Sequence, residues 1–383
     1  MGVHHGTDVR MPSIERIEVH RLSVPLVRPY RLSFGNLRAF DTILVELTDS
    51  EGRNAFGEAT LLSGYTEESI EGAWALAQQL AEQVVGRDHE EFKSRVEAVA
   101  GAAPFTATAF MTALEMLAGS EALAFAQPAR VPLLALLNAD HEDAIAAEFE
   151  SLLSEGYRTV KVKVGLAGMD DIARVRRIQK IVAGRARIRL DANQAFTGPK
   201  AVQFLSALDP QDIELFEQPC PAGDWAAHAQ AARASRVPMM LDESIYNLGD
   251  IERAAIEGLA AYVKVKLVKF VSLDKLTKAI DRIRALGMRP VLGNGVACDP
   301  GCWMEACVAA RHIDNAGEMN GLLKVRSPLL ANPPRLERGV MVIEAGYRPV
   351  LDRESVAHQR LATHSARHAS RFVANPIKER KET

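Results

Sequence analysis

The stretch RIRLDANQAF, residues 187–196, joins a strand-like pattern to a carboxylate and a polar turn. The run RIRL alternates polar and apolar residues, which predicts a β-strand, and Asp191 follows it directly. A carboxylate at the end of a buried strand costs free energy unless a cation or hydrogen bonds compensate it. This stretch therefore predicts a strand that ends in a functional site.

The same pattern continues along most of the chain. From Val131 onward, short strands alternate with amphipathic helices, which predicts a parallel sheet. Eight such units predict a closed (β/α)8 barrel, whose active site lies at the C-terminal ends of the strands. Polar residues end the predicted strands at intervals of 24 to 28 residues, at Lys163, Asp191, Glu217, Asp242, Lys266, Asn294 and Glu318.

A different texture precedes the barrel. Residues 14–24 and 42–48 are β-rich, and helical, alanine-rich segments follow them. We therefore expect the α/β fold class: a modified (β/α)8 TIM barrel with an N-terminal α+β domain. The expected units are an α+β domain at 1–125, a barrel at 126–334, and a segment at 335–383 that returns to the first domain and ends in a polar tail.

Composition excludes several classes of function. The 383 residues carry a net charge of −3, so no overall basic field favours nucleic acid or a membrane surface. No uncharged apolar run reaches about 18 residues, and the N-terminal segment lacks the apolar core of a secretory signal. Four cysteines fit a reduced protein better than a disulfide scaffold. We expect a cytoplasmic protein with a small-molecule partner.

Three carboxylates, Asp191, Glu217 and Asp242, each follow an apolar strand. On consecutive strands of a barrel they would repel one another strongly, and a divalent cation would remove that repulsion. Hard oxygen ligands favour Mg²⁺, with Mn²⁺ as the second choice. The alternative is that each carboxylate merely caps the helix that follows it.

Pairs of lysines occur on two of the predicted strands. Lys161 and Lys163 are two residues apart, as are Lys264 and Lys266, so each pair shares one face of its strand while valines take the other. In a barrel strand the valines face the helices and the lysines face inward; on an exposed strand they would be solvated. A cation nearby would lower a lysine pKa and make it a workable general base.

Several motifs together resemble the enolase superfamily, and within it the muconate-lactonizing enzyme subgroup. The resemblance extends over roughly residues 14–360. It is carried by KVK (161–163), DAN (191–193), FEQP (216–219), LDES (241–244) and VKLVK (265–269), with RPYRLSFG (28–35), GEATLLSGYTEES (57–69) and a GEMNG stretch near the eighth strand. The seventh strand reads VLGNGV without a histidine, which excludes the mandelate-racemase branch.

The resemblance implies a capping domain over the barrel and a set of site residues. The metal ligands would be Asp191, Glu217 and Asp242, and the acid and base lysines would be Lys163 and Lys266. Further implied roles are a contact of Lys161 with the substrate carboxylate, support of the metal ligands by Asn193 and Glu243, and assembly into a homo-oligomer.

Other residues receive weaker expectations. Glu318 faces the substrate or supports another site residue, and Asn294 either donates to substrate or holds a turn. By resemblance, Tyr30 and Tyr65 belong to capping loops that close over the site and select the substrate. Two further lysines fall in the same region: Lys264 is expected in a deeper ion pair, and Lys269 is expected to point to the helix layer or to solvent.

The function implied is Mg²⁺-dependent removal of the proton α to a carboxylate, which gives an enediolate. Lysines on opposite faces favour an isomerase: a racemase or epimerase of an N-substituted amino acid, or a cycloisomerase. The alternative enzyme is a lyase that eliminates water, similar to o-succinylbenzoate synthase or sugar-acid dehydratases. A non-enzymatic barrel is the third reading.

Overall fold

The computed structural model of the protein describes residues 12–32, 35–62, 66–165 and 170–368. Its strands are β1 (Ile14–Leu32), β2 (Gly35–Asp49), β3 (Asn54–Leu61), β4 (Ala129–Pro132), β5 (Ala135–Leu136), β6 (Thr159–Lys163), β7 (Arg187–Asp191), β8 (Ile213–Glu217), β9 (Met239–Leu241), β10 (Tyr262–Val265), β11 (Arg289–Leu292), β12 (Arg335–Glu337), β13 (Val340–Ile343) and β14 (Arg360–Arg367). Its α-helices are α1 (Ile70–Val84), α2 (His89–Val99), α3 (Pro104–Leu117), α4 (Glu142–Ser154), α5 (Asp170–Val182), α6 (Gly198–Ala207), α7 (Trp225–Ala234), α8 (Leu248–Ile256), α9 (Leu267–Phe270), α10 (Leu273–Ala285), α11 (Asp299–His312) and α12 (Arg353–Gln359).

The N-terminal part is an antiparallel sheet covered by helices. The sheet has the order β14-β1-β2-β3, so its edge strand comes from the C-terminal part of the chain. Helix α3 packs closely on β3 because Gly57 has no side chain: a Cβ there would lie 2.3 Å from Ala109 O. The buried faces of these elements form one apolar core, which stabilises this part of the fold.

The remainder is a parallel barrel. Strands β5 to β11 lie side by side in chain order in a seven-stranded parallel sheet. The ring closes through a short segment: Gly317 N donates to Pro132 O at 2.9 Å, and Glu318 N donates to Leu292 O at 3.0 Å. The predicted barrel with an N-terminal α+β domain is confirmed. Its expected eighth strand is reduced to this closing segment.

Packing outside the barrel fixes the strands that carry the site. Phe204 on α6 stacks on Phe196 and on Phe216, with ring centroids 5.0 and 5.5 Å apart. Phe196 follows the turn after β7, and Phe216 precedes Glu217 at the end of β8. The aromatic stack therefore holds two neighbouring strand ends in a fixed relation.

The C-terminal residues divide between the two parts of the fold. Strand β14 pairs with β1, whereas the hairpin of β12 and β13 pairs with β4 beside the barrel. The domain limits expected from the sequence remain a prediction. None of the helices that the structure describes has the combination of length and apolar character needed to cross a membrane.

Two carboxylates of the N-terminal part bind the N-termini of barrel helices. Glu58 Oε1 accepts from Cys298 N at 2.9 Å and from Gly301 N at 3.1 Å, at the start of α11. Glu115 accepts from Leu273 N at 2.8 Å, at the start of α10. Burial raises the pKa of Glu58 to about 8 although these hydrogen bonds favour its charged form. These bonds attach the N-terminal part, called the cap below, to the end of the barrel at which the strands have their C-terminal residues.

Candidate active site

The strand ends bring acidic and basic side chains side by side. In the parallel register Lys163 of β6 is the partner of Asp191 on β7, and Asp191 is the partner of Glu217 on β8. Asp242 directly follows β9, and Lys266 directly follows β10. Since all these positions are at the C-terminal ends of parallel strands, the side chains meet at one mouth of the barrel.

Lys161 lies at the centre of this group. Its Nζ is 2.8 Å from Asp191 Oδ2, 2.8 Å from Glu217 Oε2 and 2.9 Å from Glu318 Oε2. The ammonium group is buried with the three carboxylates, so it balances much of their mutual repulsion. The structure therefore places Glu318 beside Lys161 and the carboxylates of β7 and β8.

The other two predicted lysines lie at the two ends of the carboxylate row. Lys163 Nζ is 2.6 Å from Asp191 Oδ2, and Lys266 Nζ is 2.8 Å from Asp242 Oδ2. The Lys163 side chain keeps 29% of its surface exposed, whereas Lys266 is buried. One amine is thus held against the first carboxylate of the row and the other against the last.

Lys264 lies on β10, one layer below Lys266, which directly follows that strand. Its Nζ is 3.3 Å from Glu217 Oε1, and it also forms an ion pair with Glu318. Glu318 is therefore shared between Lys161 and Lys264 inside the barrel. Burial raises the pKa of Glu318, but the ammonium groups of Lys161, Lys264 and Lys163 together outweigh burial and hold the net pKa well below its usual value, so Glu318 stays charged.

The expectation for Lys269 is wrong. It does not point to the helix layer or solvent; its Nζ lies 2.9 Å from Asp242 Oδ1 and is buried. The chain turns into the short helix α9 directly after Lys266, so strand alternation no longer decides direction. Lys269 Nζ also lies 4.6 Å from the centroid of the Tyr246 ring. Asp242 is consequently flanked by two lysines.

The pKa values follow from burial and from these charges. Burial is the largest single influence on the pKa of Lys163 and lowers it, but Asp191, Tyr30 and Glu318 together outweigh burial and the net pKa is raised. Burial raises the pKa of Asp191, and Lys161 and Lys163 outweigh it and lower the net value. The sequence analysis expected a lowered lysine pKa because it placed a metal cation beside the carboxylates. Without that cation, the negative carboxylates raise the lysine pKa.

The donor set fits a divalent cation. Three buried carboxylates, Asp191, Glu217 and Asp242, end or directly follow consecutive strands, and a lysine Nζ lies 2.6 to 2.8 Å from each of them. Their oxygens do not all lie within 4.8 Å of one another in the structure. Among the described residues no group donates a hydrogen bond to the buried oxygens Glu217 Oε2 and Glu243 Oε2, although Lys161 Nζ lies 2.8 Å from the former. Carboxylate oxygens are the hard ligands that Mg²⁺ or Mn²⁺ prefers, so the donor set fits such an ion by its chemistry.

Asn193 connects this row to its surroundings. Its backbone N donates to Asp191 Oδ1 at 2.9 Å, its Nδ2 donates to Glu243 Oε1 at 2.9 Å, and its Oδ1 accepts from Lys163. The residue has a positive φ of 40°, a region in which asparagine is enriched. Asn193 and Glu243 thus lie where they could orient two of the candidate ligands.

Two buried residues that the sequence reasoning did not single out orient the strand ends. Gln218 Oε1 accepts from Asp242 N at 2.8 Å. Glu305 on α11 accepts from Leu267 N at 2.8 Å through one carboxylate oxygen and from Asn294 N at 2.9 Å through the other. Gln218 belongs to the FEQP motif, which is a signal for it. Glu305 lies within an apolar helix and has no sequence signal beyond a charge among buried residues.

The predicted substrate contacts are only partly brought together. Asn294 is buried, and its Oδ1 accepts from Val296 N at 3.0 Å, so it holds the turn after β11. The Tyr30 ring of the cap lies 4.4 Å from Lys324 Nζ. Tyr65 lies outside the described residues.

Fold and site define a class of protein: a (β/α)8 barrel whose mouth combines buried carboxylates at the ends of consecutive strands with lysine side chains paired to them. Residues 144–347 match the family described as Enolase C-terminal domain-like, and the chain belongs to this family. Its membership of the enolase superfamily, near the muconate-lactonizing enzymes, is confirmed.

Known proteins support this assignment. The chain is 27% identical to a D-Ala-D/L-Ala epimerase of Cytophaga hutchinsonii, over 71% of this chain and 76% of that protein. It is 26% identical to muconate cycloisomerase 1 of Rhodococcus opacus, over 87% and 94% of the two chains. The crystal structure of a dipeptide epimerase from Cytophaga hutchinsonii, complexed with Mg and the dipeptide D-Ala-L-Val, superposes with a TM-score of 0.82 at 22% identity and covers 92% and 99% of the two chains.

Proposed function

We propose that the chain is a metal-dependent isomerase that removes and returns the proton α to a substrate carboxylate. The observation that carries the proposal is the position of two amines at opposite ends of one carboxylate row, Lys163 against Asp191 and Lys266 against Asp242. Reversible proton transfer on both faces of a carbon requires two such groups, one on each side.

Asp191, Glu217 and Asp242 would hold the metal, with Mg²⁺ as the first choice and Mn²⁺ as the second. When bound, the ion supplies positive charge beside the substrate carboxylate, where negative charge grows as the proton leaves. Asn193 and Glu243 would keep the ligands oriented, since Asn193 donates to both Asp191 and Glu243.

The lysines would carry the proton steps. One of Lys163 and Lys266 accepts the α-proton on its Nζ, and the C–H electron pair moves into the enediolate. The other lysine, as an ammonium ion, donates a proton to the opposite face of the same carbon, which inverts its configuration. Lys161 would place a positive charge beside the substrate carboxylate and favour the enediolate over the starting acid.

The substrate class proposed is an N-substituted α-amino acid or a related acid, with a dipeptide as one form. An acid that undergoes cycloisomerisation is the alternative substrate. The names of the relatives support this choice, because they include dipeptide epimerases and a muconate cycloisomerase. Glu318 and Tyr30 are proposed to contact the substrate. We also propose a homo-oligomer in the cytoplasm with no nucleic-acid partner, and the four buried free cysteines fit a reducing compartment.

The test is exchange of the α-proton in D₂O with Mg²⁺, using single enantiomers of N-acyl amino acids and of dipeptides. The proposed enzyme exchanges the proton and inverts the configuration. Lys163→Ala and Lys266→Ala should each abolish inversion, with a rate loss of at least about 100-fold, while each still exchanges one enantiomer. Lys200→Ala, an exposed lysine on α6, is the matched control.

Three results would contradict the proposal. Loss of water from the substrate would identify a lyase. Unchanged inversion in both lysine variants would show that Lys163 and Lys266 do not carry the proton. The absence of exchange with every acid in the panel would show that the protein does not catalyse the proposed reaction on these substrates.

A further inference from the structure

A cavity of about 320 Å³ opens at the end of the barrel opposite the candidate active site. Its wall includes the first residues of three strands, Thr159 of β6, Arg187 of β7 and Arg289 of β11. Gly339 and Val340 of the β12–β13 hairpin form another side. The volume lies at the lower end of the roughly 300–1,000 Å³ that small-molecule sites occupy.

The charges in this cavity do not balance. Three arginines line it, Arg158, Arg187 and Arg289, against two carboxylates, Glu214 and Asp314. Asp314 lies 3.3 Å from Arg289 NH2. In the part of the chain that the structure describes, Arg158 and Arg187 have no carboxylate partner, and both are exposed at the cavity. Arg158 NH1 donates to Tyr157 O at 2.9 Å and to Leu153 O at 3.2 Å, which leaves its other N–H groups for a ligand.

Glu214 cannot neutralise them because another arginine occupies it. Arg189 is buried inside the barrel, and its Nε donates to Glu214 Oε2 at 2.8 Å while its NH2 donates to Glu214 Oε1 at 3.3 Å. Arg189 also donates to Ala316 O at 2.7 Å and to Asn315 Oδ1 at 3.2 Å. The cavity floor is therefore a fixed hydrogen-bonded layer, and an excess of two positive charges remains at the rim.

We propose that this cavity binds a small organic anion that carries a phosphate group or several carboxylates. Planar guanidinium groups donate paired hydrogen bonds that match the oxygens of both groups, so the two share one recognition chemistry. Arg158 and Arg187 bind the anion, and Arg289, held by Asp314 and by Tyr262 Oη at 2.8 Å, completes the wall. The site is separate from the lysine cluster and does not depend on the proposed isomerase reaction.

The test is isothermal titration of the full chain, freed of metal and then dialysed free of chelator, at constant ionic strength, with inorganic phosphate in one arm and citrate in the other. We expect one saturable site per chain, and the tighter arm identifies the anion as phosphate or polycarboxylate. Arg158→Gln combined with Arg187→Gln should weaken binding at least tenfold. The control, Arg326→Gln combined with Arg348→Gln, removes the same charge from two exposed arginines elsewhere and should leave the affinity unchanged.

Three outcomes overturn the proposal. The first is the absence of saturable binding in both arms at millimolar anion. The second is an equal loss in both double variants, which would mean nonspecific charge attraction. The third is binding that survives Arg158→Gln with Arg187→Gln but disappears in Lys163→Ala, because the anion would then occupy the lysine cluster.

Discussion

Glu305 Oε1 accepts a hydrogen bond of 2.8 Å from the backbone N of Leu267, the residue that follows Lys266. The second oxygen of Glu305 accepts from Asn294 N at 2.9 Å, so one buried carboxylate holds the loops after two neighbouring strands. Glu305 is thus a positioning residue for Lys266 and acts through the backbone.

The first prediction concerns this positioning. In Glu305→Gln one of the two backbone N–H groups would face an amide N–H, which costs about 1 to 3 kcal/mol of stability. Because Lys266 would shift, kcat of the α-proton exchange should fall about tenfold or more with a smaller change in KM. The control is Glu257→Gln, which removes an exposed carboxylate that pairs with Arg253 one helical turn away. Wild-type kcat in Glu305→Gln would contradict the assigned role.

The second prediction concerns pH and the contact between cap and barrel. Burial raises the pKa of Glu58 from 4.5 in the unfolded chain to about 8 in the fold. The folded state binds this proton more tightly, so the contribution is fully present below pH 4.5 and is lost as pH rises through about 8. Chemical denaturation at pH 5.5 and 8.5 should show wild-type stability falling, by on the order of 2 to 4 kcal/mol from this group.

Glu58→Gln isolates that contribution. Its Oε1 can accept from Cys298 N and Gly301 N as the carboxylate does, and it carries no charge at any pH. The stability of this variant should therefore change less between the two pH values than that of the wild type. An identical slope in both proteins would show that Glu58 does not titrate in this range.

The third prediction concerns the metal. A cation that binds the folded protein alone raises its stability by about 2.7 kcal/mol at 100 times its Kd, so Mg²⁺ should raise Tm relative to EDTA. Asp242→Asn should abolish most of that increase because it removes one oxygen ligand. Asp274→Asn, an exposed carboxylate paired with Lys278, should keep it. An equal increase in all three proteins would place the ion elsewhere.

The fourth prediction concerns Lys264. Lys264→Met leaves Glu217 and Glu318 with Lys161 as their shared buried partner, and should cost about 3 to 5 kcal/mol in chemical denaturation. Combining it with Glu318→Gln removes the excess charge and should restore a large part of the loss.

The matched exposed change, Lys278→Met, should stay within about 0.5 kcal/mol. Additive losses in the Lys264 and Glu318 variants would show that the pair contributes no coupling.

The sequence predicted those parts of the site that strand geometry determines. Lys163, Asp191 and Glu217 meet because residues at the ends of parallel strands are neighbours, and this follows from spacing alone. The position of Lys269 could not be predicted in the same way. The chain enters a single helical turn after Lys266, and that change of direction depends on packing rather than on alternation.

Residues far along the chain were also beyond local pattern reasoning. Glu305 faces Leu267 across 38 residues, and its side chain points to the strand ends because α11 packs on the barrel there. The reduced eighth strand has the same origin. Its backbone forms hydrogen bonds to Pro132 on one side and to Leu292 on the other. So short a segment does not need the alternation of polar and apolar residues that marks a longer strand.

The strand order of the cap sheet has a consequence for biosynthesis. β1 leaves the ribosome before every strand of the barrel, whereas its neighbour β14 is translated after all of them. Until Arg360–Arg367 emerges, one edge of β1 has no hydrogen-bonding partner, and an open edge can recruit a strand from another nascent chain. Chains that terminate prematurely before Arg360 would keep a complete barrel and an open cap, which makes them prone to aggregate.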